Sequence, residues 1–398
     1  MDISVRVKDI PYSATRVLGP YAEKAKKDGK KIYHLNIGAP DTNVPDEFFK
    51  AIANINSHVL PYAPSKGIED LRNEISNYYK EKNIDIDPDE IVITNGASEA
   101  LIFAFTTITD QGDNILTSNP FYSNYYTGFR QCAIGARTFD TFVDNGYRLP
   151  SYEKIVENID DRTKAILLSN PANPTGVVYT EEEVRLIAQI AIDYDLYIIA
   201  DEVYREFAFD NHNFFSFGEI EEIQDRLILV DSISKRFGAC GARIGSVSTK
   251  NKEVYKELVK LATSRLAVST VDQIGAAALY RVNDKYFNDV KEQFQERRDV
   301  ILKELAKIDG IKVYKPEGAF YVMPELPVDD AEEFAKWLLT DFRYEKQTIM
   351  FATGAGFYSI EHHDKGKQEA RFSFCTYNPK DIIRGIEVLK KALEVYKG

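Results

Sequence analysis

The sequence has few cysteines, few histidines and no long apolar run, and each scarcity excludes a class of protein. Cys132, Cys240 and Cys375 are the three cysteines and form no CxxC pair, which argues against a disulfide framework or a structural zinc site. The five histidines share no metal-ligand spacing, since His362 and His363 are simply adjacent, so we predict no metal site. No stretch approaches the about 18 apolar residues of a membrane span. Residues 1–11 have no apolar core of a signal peptide, so we expect a cytoplasmic protein without membrane contact.

Positive charge is also in deficit. The formal net charge is −12, and a field of that sign repels nucleic acid and anionic membranes. It leaves room for a local cationic pocket that binds an anionic small molecule. At 398 residues the chain is too long for one ordinary core, so two domains are expected.

The middle of the chain alternates short apolar runs with helical patterns. The runs lack polar alternation, which is typical of strands buried on both faces of a parallel sheet; they are residues 91–94, 114–117, 164–168, 196–200 and 226–230. Residues 181–194 form an amphipathic helix between two of them, with Thr180 as its N-cap before Glu183. This rhythm predicts an α/β fold with a mainly parallel, doubly wound sheet.

The pattern changes after about residue 284. A long helix is predicted over 286–308, strand character over 312–323, a helix over 331–342, a strand over 371–375 and a closing helix over 379–396. We therefore expect a large domain over 41–284 and a smaller α+β domain over 285–398. The N-terminal segment 1–40 is expected to join the smaller domain.

Unusual residues follow one predicted strand after another, where ligands bind in α/β sheets. Lys235 follows the strand at 226–230. Desolvation there lowers an amine's pKa and makes it nucleophilic, although an exposed loop lysine is the plainer interpretation. Asp201 ends the strand at 196–200. A buried carboxylate needs a partner such as a protonated ring nitrogen, while a helix cap or a salt bridge explains it equally well.

Three further segments complete this set. Asn173 lies in the turn-rich NPANPTG after the strand at 164–168. NGASEAL joins a strand to a helix N-terminus, where backbone N–H groups can approach an anion. Two serines precede Lys235 in SISK and Arg243 follows in GARIG, and hydroxyls together with a guanidinium suit a phosphate.

The segments NGASEAL, NPANPTG, ADEVY, SISK and GARIG, in this order, resemble the class I/II aminotransferases, the fold-type-I enzymes related to aspartate aminotransferase. The resemblance extends from Asn36 to Arg371. It implies pyridoxal 5′-phosphate (PLP) as cofactor and an amino-group transfer between an α-amino acid and a 2-oxo acid by a ping-pong aldimine mechanism. Glutamate and 2-oxoglutarate are implied as one pair, with aspartate, aromatic or neutral amino acids as the other.

The resemblance also implies a role for each matching residue. Lys235 forms the Schiff base and moves the proton, Asp201 pairs with the ring nitrogen, and Asn173 and Tyr204 bind the ring oxygen. The remaining cofactor contacts are Tyr122 and Val203 on the two ring faces and, around the phosphate, Gly96, Ala97, Ser98, Ser232, Ser234 and Arg243. The substrate α-carboxylate is assigned to Arg371, with Gly38 allowing its close approach and Asn173 beside it.

Two residues are implied to act between subunits. Tyr62, in YAPSKG, matches the tyrosine that reaches the neighbouring subunit's phosphate, so a homodimer with shared active sites is expected, although a core tyrosine fits too. Ser98 stands where some relatives carry a lysine that reads the distal carboxylate, which puts strict aspartate specificity in doubt. Arg265 is a candidate for that contact, with an ordinary salt bridge as the alternative.

Two other functions fit parts of the sequence. A C–S β-lyase shares the same cofactor motifs. A transcription regulator with an aminotransferase-like effector domain needs an additional basic DNA-binding domain, and this acidic chain shows the resemblance from its first forty residues.

Overall fold

The structure is a computed structural model and describes residues 1–397. Its strands are β1 Lys31–His34, β2 Ile91–Thr94, β3 Asn114–Asn119, β4 Gly135–Asp140, β5 Thr163–Ser169, β6 Tyr197–Asp201, β7 Leu227–Ser232, β8 Gly245–Ser248, β9 Tyr321–Val322, β10 Gln347–Met350, β11 Ala352–Thr353 and β12 Ala370–Ser373. Its helices are α1 Val5–Lys8, α2 Gly19–Lys27, α3 Asp46–Ala53, α4 Glu69–Glu81, α5 Gly96–Ile108, α6 Asn124–Gln131, α7 Tyr152–Val156, α8 Glu181–Asp193, α9 Ile233–Arg236, α10 Lys252–Ser264, α11 Thr270–Leu279, α12 Asp284–Leu305, α13 Ala331–Thr340 and α14 Pro379–Leu393.

A seven-stranded sheet in the order β2-β8-β7-β6-β5-β3-β4 carries the larger part of the molecule. Strand β8 is antiparallel to both of its neighbours, and the other pairings are parallel. Every residue of β2, β3 and β7 is buried, because helices cover both faces of such a sheet. The predicted α/β fold with a mainly parallel, doubly wound sheet is confirmed.

The sequence pattern does not predict two strands of this sheet. Strand β8 has the sequence GSVS, and glycine and serine have little strand propensity. Strand β4 lies at the sheet edge with mixed burial, so it lacks the continuous apolar run that marks the central strands. Both strands form because they pack against neighbouring strands.

The predicted cap of α8 is present. Thr180 Oγ1 accepts a hydrogen bond from the Glu183 N–H at 3.3 Å, and Glu183 Oε2 accepts one from the Thr180 N–H at 2.9 Å. This reciprocal pair satisfies two backbone donors that the first helical turn leaves free.

The smaller part of the molecule joins both ends of the chain. Strand β1 pairs in parallel with β10, in the register Lys31 to Gln347, and β12 lies between β11 and β9 in an antiparallel sheet. One apolar core contains Leu18 and Leu35 from the N-terminal segment together with side chains of α12, α13 and α14. These contacts support the expectation that residues 1–40 join the smaller domain. The domain boundaries at 40/41 and 284/285 remain predictions. Residue 398 lies outside the described range.

The strand character predicted over 312–323 is mostly wrong. Only β9 forms there, with isolated bridges from Lys312 to Glu325 and from Gly318 to Ala208. Pro316 and Gly318 interrupt the segment, since proline lacks a ladder donor and glycine weakens a strand, and Ala319 has a φ of 54°. Within residues 1–397, no helix combines the length and apolar character required to cross a membrane.

Candidate active site

A cavity of about 620 Å³ opens at the carboxyl ends of the parallel strands. It brings together most of the predicted site residues, namely Gly38, Ala97, Ser98, Tyr122, Asn173, Asp201, Val203, Tyr204, Ser232, Ser234, Lys235, Arg243 and Arg371. Most of these residues meet because parallel strands end at one edge of the large sheet, whereas Gly38 and Arg371 come from the smaller part of the molecule.

One end of the cavity is a cradle for an anion. Helix α5 begins there at Gly96, which has a φ of +72°, so its first N–H groups are available to a ligand. A Cβ on Gly96 would overlap the Arg243 guanidinium, and one on Gly245 would lie 2.5 Å from the Gly96 carbonyl carbon. Both positions therefore require glycine. Gly96 itself does not line the cavity. It contributes to the cofactor site only through the backbone conformation that it allows.

Hydroxyls and a guanidinium surround this cradle. Ser232 Oγ lies 2.8 Å from Ser234 Oγ and accepts a hydrogen bond from the Ser234 N–H at 3.0 Å. Arg243 Nη2 donates to the Asn95 carbonyl at 3.3 Å. Donors from three separate segments thus converge, which is the chemistry of phosphate binding.

Lys235 lies in the short helix α9, directly after β7, and is half-buried. Its Nζ donates a hydrogen bond to the Gly38 carbonyl at 2.7 Å. A Cβ on Gly38 would overlap the Tyr321 hydroxyl, so only glycine fits between this backbone and Tyr321. The amine is held inside the cavity by a neutral acceptor.

Asp201 ends β6 as a buried carboxylate that has no cationic partner among residues 1–397. It is 4% exposed, and its Oδ2 accepts a hydrogen bond from the Tyr125 hydroxyl at 2.6 Å. Burial raises the pKa of Asp201 to about 6, and the Tyr125 hydrogen bond only partly opposes this effect. A protonated ring nitrogen would compensate the buried charge.

Arg371 lies at the opposite side of the cavity and is 2% exposed. Its Nη1 donates to Asn173 Oδ1 at 3.0 Å and its Nη2 to the Asn36 carbonyl at 2.9 Å. The guanidinium carbon lies 4.3 Å from the Tyr321 ring centroid. The planar fork is therefore fixed by neutral groups, which leaves its charge for an anionic ligand.

Tyrosines form the remaining walls. The hydroxyls of Tyr204 and Tyr321 lie 2.9 Å apart, and burial raises the pKa of Tyr204 well above its usual value. Tyr122 accepts a hydrogen bond from Asn124 Nδ2 at 2.8 Å and packs edge-on against Tyr125. These phenols stay protonated at neutral pH and can donate to a ligand.

Two predicted residues lie away from this cavity. Arg265 Nη2 donates to the Ile93 carbonyl at 2.9 Å, and its Nε lies 3.3 Å from Glu99 Oε1. Tyr62 is 80% exposed. In the single chain, Arg265 braces the β2–α5 junction and Tyr62 projects into solvent, so their roles across a subunit boundary remain predictions.

The sequence analysis missed several lining residues. Tyr321 and the residues of the N-terminal wall, Ser13, Thr15, Arg16, Lys26, His34 and Asn36, all border the cavity. No local pattern marks these residues, because their segments reach the site only through tertiary contacts, such as the pairing of β1 with β10 for His34 and of β9 with β12 for Tyr321.

The residues present fit a flat phosphate ester with a basic ring nitrogen. Asp201 is a buried anion in need of a cation, the absence of a Cβ at Gly96 lets the Arg243 guanidinium lie against the start of α5 as a cradle for a phosphate, and Lys235 lies in the same cavity. These are the groups that PLP requires. Among residues 1–397, no cluster of three or more His, Cys, Asp or Glu side chains is placed to hold a metal ion.

Comparisons with known proteins agree with this assignment. The family model "Aminotransferase class I and II" matches residues 30–387. The chain is 33% identical to the "probable aspartate aminotransferase" of Methanocaldococcus jannaschii over 98% of this chain and 100% of that protein. It is 34% identical to the (5-formylfuran-3-yl)methyl phosphate transaminase of the same organism over 94% of each.

The solved structures agree as well. The alanine aminotransferase of Pyrococcus furiosus superposes with a TM-score of 0.91 at 30% identity, over 99% of this chain and 100% of that chain. The fold, the cofactor groups and these relatives lead to one conclusion: the chain belongs to the class I and II aminotransferases and is a PLP-dependent transferase of amino groups.

Proposed function

We propose that this aminotransferase uses glutamate and 2-oxoglutarate as one pair and aspartate, an aromatic or a neutral amino acid, with its 2-oxo acid, as the other. The observation that carries the proposal is the Arg371 guanidinium. Its hydrogen bonds go to neutral oxygens of Asn173 and Asn36, and its buried Nε has no partner among residues 1–397. A buried charge in this state favours an anionic ligand, and the α-carboxylate is common to all these substrates.

The N-terminal wall supports the dicarboxylate pair. Arg16 and Lys26 line the cavity of a protein whose net charge is −12. Lys26 is partly neutralised, since its Nζ lies 3.4 Å from Glu23 Oε1. The relatives are named for aspartate, for alanine and for a furanylmethyl phosphate, so both charged and neutral side chains occur among proteins of similar relatedness.

The residues have distinct tasks in this reaction. When bound, PLP supplies the electron sink that lets the substrate Cα–H bond break. Lys235 Nζ would take the proton from the substrate Cα and deliver it to C4′ of the cofactor, so that the amino group stays on the cofactor until a second 2-oxo acid reverses the transfer. Asp201, oriented by the Tyr125 hydroxyl, holds a proton on the ring nitrogen, and the Tyr204 hydroxyl and the Asn173 amide orient the ring oxygen.

Other groups bind and align. The α5 N-terminus with Ala97 and Ser98, the hydroxyls of Ser232 and Ser234, and Arg243 hold the phosphate. Tyr122 and Val203 cover the two faces of the ring. Arg371 fixes the carboxylate, so that the Cα–H bond faces Lys235. Holding reacting groups in one geometry removes much of the entropic barrier of a bimolecular step.

A homodimer with shared sites belongs to this proposal. Val59, Leu60 and Tyr62 are 72%, 64% and 80% exposed, an unusual run of apolar surface. We assign the Tyr62 hydroxyl to the phosphate of the neighbouring subunit and Arg265 to its distal substrate carboxylate. All three cysteines are free thiols, which supports a cytoplasmic location.

A half-reaction screen tests the substrate assignment. Each amino acid is mixed with the PLP form of the enzyme. The rate at which the absorbance band of the bound PLP disappears gives a second-order rate constant. We expect glutamate to react, together with at least one of aspartate, an aromatic and a neutral amino acid. Failure of glutamate to react would reject the proposed pair. The C–S β-lyase alternative predicts pyruvate and ammonia from cystathionine without a 2-oxo acid, and the regulator alternative predicts no turnover; the comparisons favour neither.

A further inference from the structure

Three arginines line the active-site cavity, and the tasks described above occupy only two of them. Arg243 and Arg371 donate to neutral oxygens of the protein, and they are assigned to the cofactor phosphate and the substrate α-carboxylate. The third, Arg16, makes no ion pair and no side-chain hydrogen bond within residues 1–397. An arginine keeps its charge at neutral pH, so Arg16 brings a third uncompensated cation to the cavity of a protein whose net charge is −12.

The backbone that carries Arg16 is fixed by its neighbours, although the side chain itself is exposed. Ala14 is buried at 5% exposure, and the Thr15 carbonyl accepts a hydrogen bond from Asn36 Nδ2 at 2.7 Å. The Asn36 carbonyl in turn accepts from Arg371 Nη2 at 2.9 Å. Two hydrogen bonds therefore connect the Arg16 segment to the guanidinium that is assigned to the α-carboxylate.

The other ionisable groups of this N-terminal wall contribute no net charge. Glu23 and Lys26 both line the cavity, and Lys26 Nζ lies 3.4 Å from Glu23 Oε1, so their opposite charges offset each other. His34 is neutral at neutral pH, because burial lowers its pKa below the usual value. Arg16 therefore determines the sign of the wall, which attracts an anionic group.

We propose that Arg16 binds the distal carboxylate of a dicarboxylic substrate within its own subunit. The inference rests on the proposed function, because Arg371 must first hold the α-carboxylate. A guanidinium presents its N–H groups as a planar fork that matches both oxygens of a carboxylate. Arg265 is assigned to the same group from the neighbouring subunit, but Glu99 lies 3.3 Å from its Nε and already offsets its charge. A carboxylate can accept from two arginines at once, so variants of each arginine distinguish their contributions.

The test compares glutamate with glutamine, which have nearly the same shape and differ in the charge of the distal group. Second-order rate constants of the half-reaction are measured with the PLP form of the enzyme. In the wild type we expect glutamate to react about tenfold faster or more, the value of a hydrogen bond to a charged group. Arg16→Leu should lower the glutamate rate about tenfold and leave glutamine within about threefold. Arg16→Lys keeps the charge without the fork and should retain part of the preference.

A binding measurement separates recognition from catalysis. Calorimetry of the PLP form compares glutarate with its monoamide, which have no amino group to transfer. Glutarate should bind about tenfold more weakly to Arg16→Leu than to the wild type, while the monoamide binds both alike. The advantage of glutarate should shrink as salt is added, because an exposed guanidinium is screened. Lys24→Leu removes the same charge from an exposed position of α2 outside the cavity and should change neither affinity.

Two results would overturn the role of Arg16. In one, the wild type does not prefer the charged member of either pair, or Arg16→Leu changes both members by the same factor. In the other, Arg265→Ala removes the preference for glutamate while Arg16→Leu leaves it intact, which assigns the distal carboxylate to Arg265 alone. If glutamate does not react with the wild type at all, the proposed function fails instead, and the glutarate titration still tests Arg16 by itself.

Discussion

Replacing Asp201 by asparagine is expected to stabilise the cofactor-free protein and to remove most of the activity. Burial raises the pKa of Asp201 from 3.8 to about 6, a difference of ~3 kcal/mol between the two protonation states. Because the folded-state value is the higher one, the stability contributed by the neutral carboxyl is complete below about pH 4. It is lost as pH rises through 6.

Asparagine keeps the acceptor for the Tyr125 hydroxyl and has no charge to bury. In urea unfolding without cofactor, Asp201→Asn should exceed the wild type by about 1.5 kcal/mol at pH 5 and about 3 kcal/mol at pH 8. With PLP the order reverses, since the ring nitrogen loses its anionic partner, and loss of one member of a buried pair costs about 3–5 kcal/mol. The measurements are unfolding midpoints, PLP dissociation constants and turnover.

Asp231→Asn is a matched control on the neighbouring strand. Asp231 Oδ2 already pairs with Arg236 Nη2 at 2.6 Å, and both side chains are 1% exposed. This substitution should destabilise the cofactor-free protein by about 3–5 kcal/mol, the opposite sign to Asp201→Asn. Near-normal turnover in Asp201→Asn, or a stability difference that does not change between pH 5 and pH 8, would refute the reasoning.

Four further predictions concern the other assignments. Borohydride reduction of the PLP form should attach the cofactor to the peptide containing Lys235, and a label on any other lysine would end that assignment. Arg371→Lys keeps the charge but loses the planar fork, so KM should rise about tenfold or more for all amino acids alike; a loss confined to dicarboxylic substrates would move Arg371 to the side-chain pocket. Mixing Lys235→Ala with Tyr62→Phe chains should yield hybrids with one nearly normal site, whereas a fully active monomer contradicts shared sites. Arg265→Ala should lower the second-order rate for aspartate by a large factor and leave phenylalanine nearly unchanged if Arg265 reads a carboxylate, and equal changes in both would reject that role.

Local sequence was sufficient for the central strands and for the residues at their ends. Continuous apolar runs predicted β2, β5, β6 and β7 to within two residues at either end, because strands buried on both faces tolerate little else. Asp201, Asn173 and Lys235 were assigned because each follows such a run, and parallel strands end at one edge. The motifs around them were sufficient to predict the cofactor and the family.

The cap of α8 was also local information, since Thr180 and Glu183 are three residues apart and each accepts a hydrogen bond from the other's backbone N–H. Strand β8 could not be predicted from the local sequence, because GSVS has no strand signal of its own. It forms by pairing with β2 and β7, and the lack of a side chain on Gly245 permits its close approach to Gly96 and Ala97. The failed strand over 312–323 shows the converse, with apolar character but a backbone interrupted at Pro316 and Gly318.

The sequence by itself determined the fold class and the cofactor and predicted the reacting lysine, because these depend on short segments whose pattern is read within a few residues. Only the tertiary structure placed Asn36 against Arg371, 335 positions apart in the chain, and brought His34 and Tyr321 to the same cavity. It also showed Arg265 paired with Glu99 within its own subunit. Such contacts arise when β1 pairs with β10 and the chain ends pack together, and no local periodicity records which distant segments will share a core.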